Sequence, residues 1–370
     1  MTEAHQDRSL SLRHVPRHVL VTGAAGFIGA NLVLRWLDQH PGLRVVTLDK
    51  LTYAGSRDNL AGADPERHIF VHGDICDASL VARLMADHEI DTVVHLAAES
   101  HVDRSIDGPA AFVQTNVVGT YTLLEAARQA WLVQGRAAAW AAEGRSVRFH
   151  HVSTDEVYGD LDADEPGFTE RTPYQPSSPY SASKAGSDHL VRAWARTYGL
   201  AVTLSNCSNN YGPRQHAEKL IPTVVRKCLL RQPIPVYGRG DNVRDWLHVG
   251  DHCDALWHIA CHGVPGETYN VGGNNEWSNL RLVECICREV ARQTGEPAEA
   301  LLGLIGFVTD RPGHDRRYAI DATKLAVLGW SPQMPFSQGL AETVSWYIDG
   351  FRRGGLLEPG RLGLQPAEGR

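Results

Sequence analysis

The 370-residue chain predicts an α/β protein, a doubly wound parallel sheet followed by a smaller, irregular C-terminal lobe. Three observations predict it. Short apolar runs alternate with helical stretches through the first half, a pattern that places helices on both faces of a parallel sheet. A glycine-rich turn joins the first run to the first helix. After about Tyr211 the alternation stops, and Pro213, Pro222, Pro233 and Pro235 punctuate short helices and isolated strand-like pieces such as Glu267 to Val271. The strand candidates in order are His18 to Thr22, Arg44 to Leu48, His68 to His72, Thr92 to Leu96, Val147 to Val152 and Ala201 to Leu204. Helical stretches lie between most of them. The alanine-rich segment Pro109 to Ala142, with Trp131 and Trp140, predicts two helices broken near Gly135, packed on the sheet or on a sister subunit.

Composition narrows the function classes. Hydrophobic residues make up 43% and charged residues 21%, the balance of a globular chain rather than a disordered one. The net charge of -7 excludes the broad basic footprint that nucleic acid requires. Seven cysteines form an odd set without framework spacing and read as free thiols of a reducing compartment. His252-Cys253 and Cys261-His262 carry zinc-type ligands, but the segment reads as a helix and its spacing fits no common site, so no metal is expected. Residues 1 to 17 lack the apolar run of a secretory signal, and no stretch reaches membrane-spanning length, which predicts a cytoplasmic protein.

Val19-Leu20-Val21-Thr22 runs into Gly23-Ala24-Ala25-Gly26-Phe27-Ile28-Gly29, after which Ala30 to Leu37 is helical in composition. In a strand, turn and helix of this kind the glycines allow close approach of a pyrophosphate to a helix N-terminus. Asp49 ends the second strand 20 residues after Gly29, where its carboxylate can accept from both ribose hydroxyls and repel a 2'-phosphate. This predicts a Rossmann-type site for NAD in preference to NADP, with Lys50 next door as the one residue favouring phosphate. Asp74 after the third strand, and Ala97-Ala98 after the fourth, fall where the adenine and nicotinamide ribose pass.

The chemistry is carried by Ser153-Thr154-Asp155-Glu156-Val157-Tyr158-Gly159 and by Tyr180-Ser181-Ala182-Ser183-Lys184. Tyr180 and Lys184 stand four apart, so on a helix they share one face, where an ammonium can stabilise a tyrosinate. Two further carboxylates, Asp155 and Glu156, imply that protons also move at adjacent substrate atoms. Neighbouring side chains on a regular strand point to opposite faces, so the pair can serve one substrate only if the strand has ended before it. Gly159 and the polar residues after it predict that end. Asp155 must also be protonated at neutral pH to act as a donor.

Over roughly residues 17 to 350 these runs, with His95 to Ser105, Asn206 to Pro213, Pro235 to Trp246 and Asp310 to Asp315, resemble the extended short-chain dehydrogenase/reductases, most closely the dTDP-glucose 4,6-dehydratases as a family. The resemblance implies residues 17–210 as an NAD-binding unit carrying the catalytic residues and 211–355 as a mainly nucleotide-sugar-binding lobe. Some lobe segments would return to the first unit, with 1–16 and 356–370 as flexible tails. It implies Thr154, Asp155, Glu156, Tyr180 and Lys184 as catalytic. To the cofactor residues named above it adds Phe27, Ile28, Thr52, Ile75, Leu96, Thr115 and Asn210. For a substrate such as dTDP-glucose it implies Ser100, Thr154, Asn209, Lys219, Leu220, Arg244, Asn279, Arg311 and His314 at the sugar and diphosphate, and Pro235 with Tyr237 at the base. It further implies a homodimer paired through residues near 110 to 130 and 180 to 198. Two departures stand out: Arg214 and Ala217 occupy positions where relatives tend to carry an aromatic residue and a proline.

Overall fold

The computed structural model describes residues 13–310 and 313–354. Its strands are β1 (His18–Thr22), β2 (Arg44–Asp49), β3 (His68–His72), β4 (Thr92–His95), β5 (Arg148–Thr154), β6 (Val202–Cys207) and β7 (Asn209–Tyr211). They are followed by β8 (Ile234–Tyr237), β9 (Val243–His248), β10 (Thr268–Val271), β11 (Glu276–Ser278), β12 (Ile305–Val308) and β13 (Arg317–Tyr318). Seven strands form one parallel sheet in the order β10-β6-β5-β4-β1-β2-β3. The order reverses between β1 and β4, and a crevice for ligand opens at the C-terminal ends of the strands beside such a reversal.

One prediction is corrected here. The Glu267 to Val271 piece is not isolated in a second lobe: β10 pairs in parallel with β6 along Thr268↔Leu204 to Val271↔Cys207 and completes the main sheet. The alanine-rich segment does break at Gly135, whose φ of 75° lies in the left-handed region. Trp131 and Trp140 are buried in the core on one face of the sheet, so they pack against it. The opposite face is covered by the helices Phe27–Gln39 and Val249–His262, where Trp36 donates to the Cys253 carbonyl at 3.0 Å.

The remaining strands lie outside this sheet. β9 pairs with β7, β11 and β13, while β8 pairs with β12. A third core joins the helices Leu220–Leu229, Asn279–Thr294 and Phe336–Arg352 around Ile221, Leu282, Ile286 and Val344.

The expected N-terminal tail ends earlier than residue 16. His14 is buried, lies 2.7 Å from the Thr92 hydroxyl and 2.9 Å from that of Ser146, and its backbone N–H donates to the Cys261 carbonyl. Residues 1–12 and the expected C-terminal tail 356–370 lie outside the described residues. All seven cysteines are free, and among the described residues no helix is long and apolar enough to cross a membrane.

Candidate active site

The glycine turn follows directly from β1. Gly23 takes φ of 69°, and a Cβ there would lie 2.7 Å from the Ala97 backbone. A Cβ on Gly29 would lie 2.4 Å from the Gly23 carbonyl. The helix Phe27–Gln39 has Gly26 at its N-cap with no side-chain capping bond, which keeps backbone donors available to an anion. Asp49 anchors the turn: its Oδ2 accepts from the Ala25 N–H and its Oδ1 from the Leu51 N–H, both at 2.8 Å. Each oxygen has a second lone pair for a ribose hydroxyl. The Lys50 ammonium sits 2.7 Å from Asp74, so the cation expected to favour a 2'-phosphate is already paired. Replacing Gly23 with alanine is expected to cost roughly 1–3 kcal/mol from the φ strain alone. The variant should purify without dinucleotide and melt lower, as read by denaturant unfolding and by the nucleotide released on acid precipitation.

β5 ends at Thr154, and a single 3-10 turn, Asp155–Tyr158, begins there. Thr154 caps it, accepting from the Glu156 N–H at 3.3 Å, and Gly159 closes it with φ of 98°. The strand has therefore ended before the two carboxylates, as their joint use requires. Asp155 is buried, accepts from the Thr154 hydroxyl at 3.3 Å through Oδ1, and has no partner at Oδ2. Burial, then the neighbouring Glu156 and Asp245, push its carboxyl well above the usual range, the direction that a proton donor requires.

The helix Pro179–Tyr198 starts with a capping box between Ser178 and Ser181 and with proline in its first turn. That start fixes the turn bearing Tyr180, with Lys184 one turn on. The electrostatics differ from the sequence expectation. Burial, then Glu156 and Cys207, push the Tyr180 phenol well above its ordinary value, and the hydrogen bond with Thr154 opposes them. The Lys184 ammonium donates to the Val152 carbonyl at 2.9 Å and lies 3.4 Å from His151.

The three turn glycines, Asp49, Lys50, Asp74, Asp155, Tyr180 and Lys184 line one cavity of about 330 Å³. It gathers every predicted cofactor residue, Gly23, Gly26, Phe27, Ile28, Gly29, Asp49, Lys50, Thr52, Asp74, Ile75, Leu96, Ala97, Ala98, Thr115 and Asn210, with the five predicted catalytic residues and Ser100, Asn209 and Lys219. The donor set and the glycine cradle fit a dinucleotide. The other described members of the predicted substrate set do not line the cavity. Arg244 is buried on β9, donates to the carbonyls of Val243 and Asp315, and favours the charged form of Asp155. Tyr237 stands half exposed on β8 with the His314 ring 6.5 Å away, edge to face. Pro235 lies on the same strand; Leu220 and Asn279 begin their helices. Arg311 lies outside the described residues.

Arg214 ties its loop down: its guanidinium donates to the Asn59 carbonyl and to Asn31 Oδ1, both at 3.2 Å. Asn116 was missed from sequence. Buried in a π-helical turn, it accepts from the Glu99 N–H and donates to the Glu99 carbonyl and to Ser183, linking the loop after β4 to the helix that carries Tyr180. Nothing local marks it, since Gln114 and Thr115 precede it in the same helical run.

The parallel sheet with its strand reversal, the glycine turn and the Tyr180–Lys184 pair together define an extended short-chain dehydrogenase/reductase. A family model described as GDP-mannose 4,6 dehydratase matches residues 20–343, and the chain belongs to that family. It is 54% identical over 340 residues to dTDP-glucose 4,6-dehydratase 1 of Escherichia coli K12, covering 89% of this chain and 92% of that protein. It is 56% identical over 335 residues to the dTDP-glucose 4,6-dehydratase of Xanthomonas campestris pv. campestris, with the same coverage. Among solved structures it resembles DesIV, a dTDP-glucose 4,6-dehydratase of Streptomyces venezuelae with NAD bound: TM-score 0.79, 46% identity, 91% of this chain and 98% of that one. The Thermus thermophilus UDP-glucose 4-epimerase in complex with NAD matches at TM-score 0.77 and 29% identity, over 90% and 99% of the two chains.

Proposed function

We infer that this protein is an NAD-dependent dTDP-glucose 4,6-dehydratase, a hydro-lyase that makes dTDP-4-keto-6-deoxyglucose. The observation that carries the reading is the placing of Asp155 and Glu156, just past the end of β5, in one cavity with Tyr180, Lys184 and the glycine turn. Held by the glycine turn and Asp49, NAD would supply a hydride acceptor for carbon 4 and, once reduced, a hydride donor for carbon 6. Tyr180, with Thr154 bonded to it and Lys184 one turn away, takes the proton of the 4-hydroxyl. The ketone formed at carbon 4 acidifies the hydrogen on carbon 5, which Glu156 removes, and a proton returns to carbon 5 once carbon 6 has received hydride. Asp155, held as the acid, protonates the departing 6-hydroxyl so that it leaves as water. Lys219 and Arg244 pair with the diphosphate, and Tyr237 offers an aromatic face to the pyrimidine.

A 4-epimerase has no need for a buried carboxylic acid beside the base, so Asp155 favours dehydration. For the assembly we propose a cytoplasmic homodimer. Val113, Val118, Tyr121 and Tyr198 expose apolar surface on the segments expected to pair, and Tyr121 packs edge-on against Trp194 to join them.

The test is incubation with dTDP-glucose in deuterated water, with UDP-glucose in parallel, followed by mass spectrometry and proton NMR. Loss of one water with deuterium at carbon 5, faster for dTDP-glucose, is the expected result. Recovery of the 4-epimer or of unchanged sugar would overturn the reading.

A further inference from the structure

Asp188 lies one helical turn beyond Lys184 and is fully buried, yet it does not line the cavity. Its Oδ2 accepts from the Ser153 hydroxyl at 2.8 Å and the Tyr174 hydroxyl at 2.9 Å, with the Asn206 amide at 3.5 Å. Its Oδ1 lies 3.1 Å from His151 Nε2. The same ring nitrogen lies 3.4 Å from the Lys184 ammonium and 3.3 Å from the Ser187 hydroxyl, so ammonium and carboxylate both stand at one edge of the His151 ring. The Val152 carbonyl that also receives the ammonium carries no net charge. A buried ammonium without a nearby anion loses its proton.

We propose that Asp188 is a positioning residue of the reaction: its carboxylate, set with Lys184 at the same edge of the His151 ring, is the counter-charge that holds Lys184 as the ammonium on which the tyrosinate form of Tyr180 depends. This rests on the reading of Tyr180 as the base. The alternatives for a counter-charge are few. Asp155, the other buried carboxyl nearby, is pushed well above the usual carboxylate range by burial, then by Glu156 and Asp245, and Lys184 is not among the groups that oppose this. Burial lowers the affinity of Lys184 for its proton, and Asp188 is the largest influence opposing that, ahead of Cys207. Facing the pair are Arg192 on the same helix, Tyr174 before it, His151 on β5, Cys207 on β6, and His95 on β4 with its ring 5.1 Å from that of His151. Burial keeps both imidazoles neutral, and Arg192 adds positive charge. Burial raises the Asp188 carboxyl as well, but Lys184, the Ser153 hydroxyl, Arg192 and the Tyr174 hydroxyl all favour its charged form, which makes Asp188 the carboxylate among these groups.

The chain has five lysines, Lys50, Lys184, Lys219, Lys227 and Lys324, so the Lys184 signal can be followed directly. Holoenzyme labelled with carbon-13 at the lysine ε position is titrated by NMR, with Lys184→Met assigning the resonance. In Asp188→Asn the Lys184 midpoint is expected to fall by about one pH unit or more. The acid limb of kcat with dTDP-glucose should move to higher pH in step, because the phenol becomes harder to ionise. Tyr174→Phe removes one donor to Asp188 without reaching the cavity; it should shift both midpoints the same way by less, and it carries the test alone if Asp188→Asn does not fold. A Lys184 midpoint and a pH profile equal to wild type in the folded variants would overturn the proposal. The titration needs no substrate, so failure of the wild type to convert dTDP-glucose would count against the dehydratase reading while leaving this one decided by NMR.

Discussion

Replacing Tyr180 with phenylalanine is expected to lower turnover of dTDP-glucose by about 10³-fold or more, the scale of a lost acid-base group, while the purified protein keeps its NAD. The ring of Tyr180 is buried and packs edge-on toward Phe112 at 6.3 Å, so phenylalanine fills the same space. The residues proposed to cradle the dinucleotide, Gly23, Gly26, Gly29 and Asp49, lie on other elements than Tyr180. Steady-state rates, together with the nucleotide content of the purified variant, check the outcome. Near-normal turnover would show that another group takes the 4-hydroxyl proton, and loss of NAD would make the effect structural rather than chemical.

The second large effect is expected from Asp155→Asn, which should stop the reaction between its two halves. Oxidation at carbon 4 depends on Tyr180 and Lys184 and persists; loss of water depends on the acid and falls by about 10²- to 10⁴-fold. Substrate should then produce a lasting rise in the near-ultraviolet absorbance of reduced nicotinamide, and carbon 5 should still exchange with deuterated solvent through Glu156. Stopped-flow absorbance and proton NMR measure the two. If Asp155→Asn turns over like wild type, Asp155 is not the donor. The pH dependence has a definite sign. Because burial raises the Asp155 carboxyl, its donor form persists above the usual carboxylate range and is lost as pH rises through the raised value. Wild-type turnover should accordingly fall on the alkaline side, and in the asparagine variant that limb should be missing.

The legibility of this protein from its sequence follows the range of the contacts concerned. β1 and β2 lie inside the sheet and read as apolar runs, β2 one residue longer than predicted, while β3 at the sheet edge coincides with its prediction although it is only partly buried. β5 reaches Thr154, two residues beyond the predicted end, since polar Ser153 and Thr154 still pair with β6 while facing the crevice. β10 was misread because four residues, Thr268 to Val271, carry no sign of which strand they will join; their partner lies more than sixty residues earlier in the chain. In the cavity the glycine turn, Asp49 and the Tyr180–Lys184 spacing were readable because each is a local pattern. Asn116 and Asp188 were not, for their contacts span 67 residues to Ser183 and 37 to His151. The pairing of Lys50 with Asp74, and the burial that raises Tyr180, likewise exist only once the chain has folded.

The place of β10 bears on how the protein must be made. Until residues 268–271 leave the ribosome, β6 is the outer strand of a six-stranded sheet, its unpaired N–H and C=O groups open to any other extended chain. The nascent protein therefore passes through a stage in which the whole cofactor crevice is present in sequence but its sheet has a raw edge beside the catalytic strand. A fragment cut near residue 210 would be caught at that stage permanently, and aggregation rather than dinucleotide binding is its natural fate.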